Sequence, residues 1–155
     1  MTESVWDYPR PPRVEPCAKR VVVIFGGAVI ADTVDSLRVL ETSHPPVFYI
    51  PRADIAQGTL APSRGPQSFC EFKGFAGYLD VSAGGRSAER AAWTYEDPAQ
   101  GYEQLAGAVA FYPSRMDECT VGGVKVQAQE GDFYGGWITP DIEGPFKGGP
   151  GTWGW

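Results

Sequence analysis

Three Gly-Gly pairs, each between two runs rich in strand-forming residues, constrain this fold more than any other feature of the sequence. They are Gly26-Gly27 in "KRVVVIFGGAVIADT", Gly84-Gly85 between "FAGYLDV" and "RSAERAAWTY", and Gly122-Gly123 in "CTVGGVKVQ". A two-residue hairpin turn requires positive φ, which glycine adopts without a steric penalty. Each pair therefore predicts an antiparallel hairpin.

The remaining segments also favour β-structure. Glycine and proline account for 34 of 155 residues, which is typical of many turns and few long helices. "LRVLET" and "VFYI" predict two further strands. The one helix that the sequence predicts runs from Pro98 to Ala106, with Asp97 as its N-cap and Pro98 at the first helical position. We expect a mainly β, antiparallel domain with one or two short helices.

The length favours one domain between two arms. We expect an extended, proline-rich N-terminal arm over residues 1–16, a single β domain over 17–130, and an arm rich in glycine and tryptophan over 131–155. The second arm carries Trp137, Phe146, Trp153 and Trp155, each able to bury on the order of 150–250 Å². It should therefore pack on the domain or on a second subunit, and we expect a homodimer.

Charge and hydropathy exclude several partners. The net charge is −6, and the basic residues are scattered, which disfavours nucleic acid as a partner. The sequence has no apolar run of the roughly 18–20 residues that span a bilayer, and its first residues lack the apolar core of a signal peptide. We expect a cytoplasmic protein that binds neither nucleic acid nor membrane.

The cysteines do not predict a metal site. Cys17, Cys70 and Cys119 are widely separated, and the chain has no C-x-x-C pair. These three thiols and His44 are in principle enough ligands for zinc. Three ordinary thiols are the alternative, and we expect no metal and no cofactor.

Aromatic residues recur on one face of several predicted strands. Trp93 and Tyr95 share a face because side chains alternate along a strand, and Tyr78 lies opposite Leu79. Tyr49 alternates with Phe48 in the same way. Two interpretations are open: a partly covered aromatic layer of the core, or a pocket lined by Tyr49, Tyr78, Trp93 and Tyr95.

The stretch "RVLETSHPP" contains Glu41, Thr42 and His44, the only histidine. If Leu37 and Val39 face inward, Glu41 does too, and a buried carboxylate is a candidate general acid or base. The alternative is a surface glutamate at the end of a strand.

Lys73 lies in "FCEFKGFAGY", just before a predicted strand. It is either an anchor for a ligand carboxylate or phosphate, or an ordinary exposed lysine. Cys70 is a nucleophile only if the fold supplies a partner that activates it. The candidate catalytic residues are thus Glu41 and Lys73, and the candidate ligand-binding residues are Thr42, His44, Tyr49, Trp93 and Tyr95.

Common enzyme signatures are absent from the sequence. It contains no phosphate-binding G-x-x-x-x-G-K-[ST] loop, no G-x-G-x-x-G after a strand, no G-x-S-x-G elbow and no H-E-x-x-H. The residues therefore predict a small-molecule site without specifying a reaction. An enzyme, a non-catalytic binding or assembly module, and a structural homodimer are the alternatives.

Taken together, these segments resemble the family known as domain of unknown function 427. The resemblance rests on "FGGAVIADT", "LRVLETSHPPVFYIPRADI", "FCEFKGFAGY", "AAWTYEDP", "AGAVAFYP" and the closing "GDFYGGWITPDIEGPFKGGPGTWGW". It runs from about residue 20 to the end, and the tail resembles that of a bacterial subset. It implies a compact antiparallel fold of the tent-like kind, similar to the Mss4-like and methionine sulfoxide reductase folds.

The resemblance also bears on chemistry. Relatives of that fold hold zinc through paired cysteines, which this chain lacks, so no metal is implied here. The family is also labelled a nucleotidyltransferase, but such enzymes place a Gly-Ser turn near a magnesium-binding carboxylate pair. Here the D-x-[DE] pair is Asp141 and Glu143, and there is no Gly-Ser turn. The family's recurrent polar positions match Glu41, Thr42, His44, Tyr49, Lys73, Trp93 and Tyr95.

Overall fold

Short, mostly antiparallel strands dominate the computed structural model, which describes residues 2–131, 133–152 and 154–155. The strands are β1 (Glu3–Ser4), β2 (Arg13–Cys17), β3 (Val21–Phe25), β4 (Ala28–Thr33), β5 (Ser36–Leu40), β6 (Val47–Tyr49), β7 (Leu60–Pro62), β8 (Ser68–Cys70), β9 (Gly74–Ala83), β10 (Arg86–Thr94), β11 (Val109–Phe111), β12 (Glu118–Val121), β13 (Val124–Lys125), β14 (Gln127–Ala128), β15 (Trp137–Ile138) and β16 (Ile142–Glu143). The mainly β class is confirmed, while the tent-like arrangement stays a prediction.

The three predicted hairpins are confirmed. β3 pairs with β4, β9 with β10, and β12 with β13, each antiparallel and each joined through a Gly-Gly pair with positive φ. The tips of the first two hairpins touch. A Cβ on Gly84 would lie 2.0 Å from the backbone oxygen of Gly26. Glycine is therefore required at this position both by the turn and by the contact between the two hairpin tips.

The strands form three larger sheets. The first has the order β11-β10-β9-β7, with β8 also on β9; the second is β13-β12-β3-β4; the third is β2-β5-β6. The third sheet meets the first where Ile50 and Val109 exchange backbone hydrogen bonds of 2.8 and 2.9 Å. This junction places β5 and β6 beside β10 and β11.

The β9–β10 ribbon separates two hydrophobic clusters. Leu79 and Val81 face the main core with Phe25, Phe111 and others, while Ala76 and Tyr78 face a second cluster rich in aromatic residues. A bulge at Arg90 (φ +51°) shifts the register between Ala88 and Ala92. This arrangement turns Trp93 and Tyr95 to the aromatic side.

The predicted helix is wrong. Within residues 98–106 the structure has only a 3-10 turn, Glu103–Leu105; the other 3-10 turns described are Val5–Asp7, Arg52–Asp54 and Pro113–Arg115. Gly101 adopts φ +95° and interrupts any helix. The backbone N–H of Ala99 donates instead to Lys73, so its hydrogen bond goes to a neighbouring loop. No described helix has the length and apolar character needed to cross a membrane.

Both arms contact the domain. The N-terminal segment differs from the lead-in that the sequence suggested, because Val5 is fully buried and Arg13–Cys17 forms β2. β1 pairs in parallel with β16, so the two arms also meet each other. In the C-terminal arm Trp137 is fully buried in the main core, and Ile142 packs beside Val5. Trp153, which the sequence assigned to the docked arm, lies outside the described residues.

Candidate functional site

A cavity of about 360 Å³ opens on the aromatic side of the β9–β10 ribbon. Strands β5, β6, β9 and β10 supply its floor, the β8–β9 turn supplies one wall, and the C-terminal arm supplies part of the rim. It is lined by Arg10, Val39, Glu41, His44, Pro45, Val47, Tyr49, Ser68, Phe69, Cys70, Glu71, Phe72, Lys73, Ala76, Tyr78, Trp93, Tyr95, Tyr112, Phe133, Tyr134, Lys147 and Trp155. The aromatic face is a buried layer of the core that also lines this cavity, with Tyr49, Tyr78, Trp93 and Tyr95 in both. Its use as a small-molecule pocket stays a prediction.

The floor is a connected set of aromatic side chains. The indole N–H of Trp93 donates to the hydroxyl of Tyr49 at 3.1 Å, and the Trp93 ring lies 4.6 Å from that of Tyr112. Burial raises the pKa of Tyr49, Tyr95 and Tyr112. These phenols therefore remain protonated at neutral pH and act as neutral hydrogen-bonding groups.

Glu41 lies just beyond the end of β5, on the cavity wall. Leu37 and Val39 both belong to the aromatic cluster, as the inward-facing interpretation required, and the Glu41 side chain is 20% exposed. Its Oε2 accepts a hydrogen bond from Arg10 Nε at 3.1 Å. Glu41 is thus a partly buried carboxylate in an ion pair, not a free surface residue.

Thr42 contributes its backbone rather than its side chain. It is not among the cavity-lining residues, but its carbonyl oxygen accepts from Arg10 Nη2 at 3.3 Å and lies 2.9 Å from His44 Nδ1. A carbonyl only accepts, so Nδ1 carries the proton and, in the neutral ring, Nε2 is the acceptor.

His44 is 7% exposed and lines the cavity. Within the part of the chain that the structure describes, its Nε2 has no hydrogen-bond partner, and Tyr134 packs edge-on at 4.8 Å. Burial is the main cause that lowers the pKa of His44; Arg10 and Lys147 lower it further, while the Thr42 carbonyl and Glu41 oppose them. The site therefore presents a neutral imidazole with an available acceptor nitrogen.

Lys73 is half-buried at the start of β9. Its ammonium donates to the sulfur of Cys70 at 3.3 Å and lies 5.9 Å from the centre of the Tyr95 ring. Neither contact neutralises its charge, since a phenol and a thiol are both uncharged groups in their ordinary protonated forms. Lys73 thus offers a positive charge to the cavity.

The C-terminal arm closes one side of the cavity. The backbone oxygen of Trp155 accepts from Lys147 Nζ at 3.2 Å and from Arg10 Nη2 at 3.3 Å. The Tyr112 hydroxyl donates to the Phe133 oxygen at 2.9 Å. Residues of the N-terminal and C-terminal arms therefore meet at the rim.

The structure brings six of the seven predicted site residues into this cavity, all but Thr42. Sequence reasoning did not assign Arg10, Lys147, Tyr112, Phe133 or Tyr134 to the site. Arg10 lies in the proline-rich N-terminal arm and Lys147 in the glycine-rich C-terminal arm, outside the predicted β domain. No local pattern relates these two residues to the predicted site.

Charge distinguishes the cavity from the rest of the molecule. Of the described residues, Arg10, Lys73 and Lys147 line it, against Glu41 and Glu71, whereas the whole chain carries a net charge of −6. The carboxylate pair of the sequence lies elsewhere: Asp141 faces Lys19 at 3.5 Å, and Glu143 accepts from Thr2 at 2.8 Å. In the described residues, no group of three or more metal-ligating side chains is present.

Comparison with known families places the chain in one of them. The sequence profile of the family described as "Domain of unknown function (DUF427)" matches residues 13–122, more than half of the chain. The chain belongs to this family. No curated protein matches the sequence.

The family match covers only part of the residues that line the cavity. The floor and the β8–β9 wall, with Glu41, His44, Lys73 and Trp93, fall within the family's matched region. The rim residues Arg10, Phe133, Tyr134, Lys147 and Trp155 fall outside it. The family segment thus builds the site, and the flanking arms close it.

Proposed function

We propose that this protein binds a small anionic molecule with an apolar or aromatic body. The observation that carries this proposal is the convergence of Arg10, Lys73 and Lys147 on one aromatic-lined cavity in an otherwise acidic protein. Small-molecule sites are typically concave, mostly apolar and furnished with a few polar groups that orient the ligand. This cavity has each of these properties.

The size of the cavity limits the ligand. A volume of about 360 Å³ lies at the lower end of the roughly 300–1,000 Å³ typical of ligand sites. Trp93 and Tyr95 line the cavity, and contact between a planar ring and such side chains adds about 0.5–1.5 kcal/mol beyond the burial of area. The ligand is therefore a single-ring or short-chain molecule.

The three cations act as anchors in different ways. Among the residues that the structure describes, no carboxylate pairs with Lys73, so it meets an anionic group without first breaking an ion pair to them. Arg10 forms an ion pair with Glu41, and both Arg10 and Lys147 donate to the Trp155 backbone oxygen. The ligand's anionic group competes with this oxygen or binds at Lys73.

An enzyme is the second candidate, and His44 is the observation that favours it. A buried neutral imidazole with an unengaged Nε2 is suited to accept a proton from a bound molecule, and Glu41 lies on the same wall. If the protein turns its ligand over, Glu41→Gln and His44→Gln leave binding largely intact and abolish turnover. In a binding module the same changes alter only affinity.

Titration with matched anionic and neutral probes tests the binding function. Benzoate and phenylacetate are compared with benzamide and phenylacetamide, which have nearly the same shapes without the charge. We expect the carboxylates to bind at least about tenfold more tightly, which corresponds to about 1.4 kcal/mol. The preference should fall as salt is raised, since exposed parts of the site are screened.

Two lysine variants test whether Lys73 causes the preference for carboxylates. Lys73→Gln should remove most of the preference for the carboxylates, and Lys125→Gln, an exposed lysine on β13, is the matched control. Equal binding of acids and amides, or an unchanged preference in Lys73→Gln, contradicts the proposal. Native mass spectrometry of the protein purified from its own host then identifies the natural ligand by mass.

The cytoplasmic location expected from the sequence stays a prediction.

A further inference from the structure

We propose that Cys70 is a nucleophile in this cavity and that the ligand it takes is a small anion bearing a soft electrophilic carbon. The inference rests on the proposed function, because the cations of the cavity are what select an anionic electrophile. It adds a covalent step and a reacting atom to that site.

The β8–β9 turn places an ammonium against the sulfur. Cys70 ends β8 and pairs with Gly74, the first residue of β9, so the chain reverses tightly between them. This reversal brings Lys73 Nζ to 3.3 Å from Cys70 Sγ. The backbone oxygen of Lys73 accepts from Ala99 N at 2.8 Å and anchors the turn. A cation that donates to sulfur stabilises the thiolate, which is the reactive form of cysteine.

The other two cysteines lack this environment. Cys119 is buried in the main core, and burial raises the pKa of its thiol to about 12. Cys17 is half-buried beside a second cavity, where three carboxylates stand against two cations and no described cation is bonded to its sulfur. Among the three, Cys70 alone combines access to a cavity with an ammonium in contact.

A second feature of the cavity points to a bound molecule. His44 is more than nine-tenths buried and lines the same cavity, yet its Nε2 has no hydrogen-bond partner among the residues that the structure describes. This nitrogen is open to the cavity, so a hydrogen-bond donor of a ligand can reach it in place of water. This nitrogen is independent of the Cys70–Lys73 contact.

The covalent step balances without a further reagent. The thiol releases its proton to water, and the sulfur electron pair forms a C–S bond at the electrophilic carbon. If that carbon carries a leaving group, the group departs with its bonding pair. If the carbon is the β-carbon of an unsaturated carboxylate, the π pair moves to the α-carbon, which takes up one proton from water.

Competitive alkylation of the intact protein tests this proposal. Iodoacetamide is the neutral probe and iodoacetate the anionic one, and peptide mass spectrometry follows all three cysteines in one sample. We expect Cys70 to react about tenfold faster than Cys17 with iodoacetamide, and Cys119 to remain unmodified. The iodoacetate-to-iodoacetamide rate ratio should be several-fold higher at Cys70 than at Cys17, whose cavity has three carboxylates against the cations of Lys19 and Arg38.

The Lys73→Gln variant distinguishes a failure of the Cys70 nucleophile from a failure of the proposed anion binding. It should slow iodoacetamide at Cys70 about tenfold, Lys73→Arg should retain most of the rate, and Lys125→Gln should change nothing. An unmodified Cys119 shows in each variant that the fold is intact. If Cys70 reacts no faster than Cys17, or if Lys73→Gln leaves its iodoacetamide rate unchanged, the nucleophile is overturned and anion binding stands. If those rates behave as expected but the ratio is equal at both cysteines, the nucleophile stands and the anionic ligand is overturned.

Discussion

The indole nitrogen of Trp137 donates a hydrogen bond to the backbone oxygen of Phe111 at 3.1 Å, and the whole Trp137 side chain is buried. Phe111 belongs to β11 in the first sheet, so the bond joins the C-terminal arm to the main core. The Trp137 ring also lies 5.1 Å from that of Phe48. The arm is therefore part of the folded domain in one chain.

Trp137→Phe should lower the free energy of unfolding by about 1–3 kcal/mol. The phenyl ring keeps much of the apolar contact, but the Phe111 oxygen loses its donor inside the core, and a buried group left unpaired carries this cost. Urea unfolding measures the loss. The matched control is Trp6→Phe, because Trp6 donates to the Pro145 oxygen at 2.9 Å but is 45% exposed, so water replaces the bond. Equal losses in the two variants would contradict the role assigned to Trp137.

A chain ending at Glu130 should lose at least about 3 kcal/mol of stability or fail to fold, because it lacks both Trp137 and Ile142, which are buried. Chemical unfolding with light scattering checks this and the predicted homodimer together. If the arm serves its own chain alone, the unfolding midpoint of the full chain does not vary with protein concentration. A midpoint that rises with concentration, with a mass that halves on truncation, supports the homodimer. Unchanged mass and unchanged stability on truncation contradict the docking of the arm.

The imidazole of His44 should titrate below 6.5, its ordinary value, because burial disfavours the charged ring. A depressed pKa in the folded state means that the unfolded state binds the proton more readily. His44 therefore contributes stability above about pH 6.5, and this contribution is lost as pH falls through the folded-state pKa. The chain has one histidine, so NMR titration of its ring protons reports this group alone.

Lys147→Gln should raise the midpoint of that titration, since the lysine ammonium disfavours a second positive charge nearby. Lys125→Gln, on the exposed strand β13, should not move it. A wild-type midpoint at or above 6.5 would show that His44 does not lie in the buried environment described.

Gly84→Ala should destabilise the protein more than Gly85→Ala does. Both residues have positive φ, +57° and +78°, so each substitution carries a left-handed backbone cost of about 1–2 kcal/mol. A new Cβ at Gly85 meets nothing within 4 Å, whereas at Gly84 it lies 2.0 Å from the Gly26 oxygen. The difference in unfolding free energy between the variants isolates the contact of the two hairpin tips. Equal losses would mean that the tips do not touch in solution.

The aromatic site was predictable because strand periodicity is local. Trp93 and Tyr95 share a parity, and the sheet converts that parity into a common face. The same rule failed for Phe75, which shares the parity of Leu79 but is 59% exposed and packs only against the exposed ring of Phe69 on β8 among the aromatic side chains described. Periodicity determines the face of a strand, not how far the neighbouring sheet covers it.

The helix was not predictable for a related reason. Pro98 and Asp97 form a sound helix start, but local propensity is weak beside the hydrogen bonds that tertiary structure offers. The backbone N–H of Ala99 donates to the backbone oxygen of Lys73, which is distant in the sequence. Gly101, with its positive φ, turns the chain at this point instead of continuing a helix.

The sequence by itself determined the hairpins, the mainly β class and the common face of Trp93 and Tyr95, because backbone freedom at glycine and alternation along strands act over a few neighbouring residues. Only the tertiary structure decided that Arg10 and Lys147, near opposite ends of the chain, meet beside the cavity that Lys73 lines, and that Lys73 contacts Cys70 there. Contacts between residues this far apart in the sequence depend on how the sheets and arms pack. The energy of that packing is the sum of many small contacts between residues that are distant in the sequence. A short stretch of sequence therefore does not predict it.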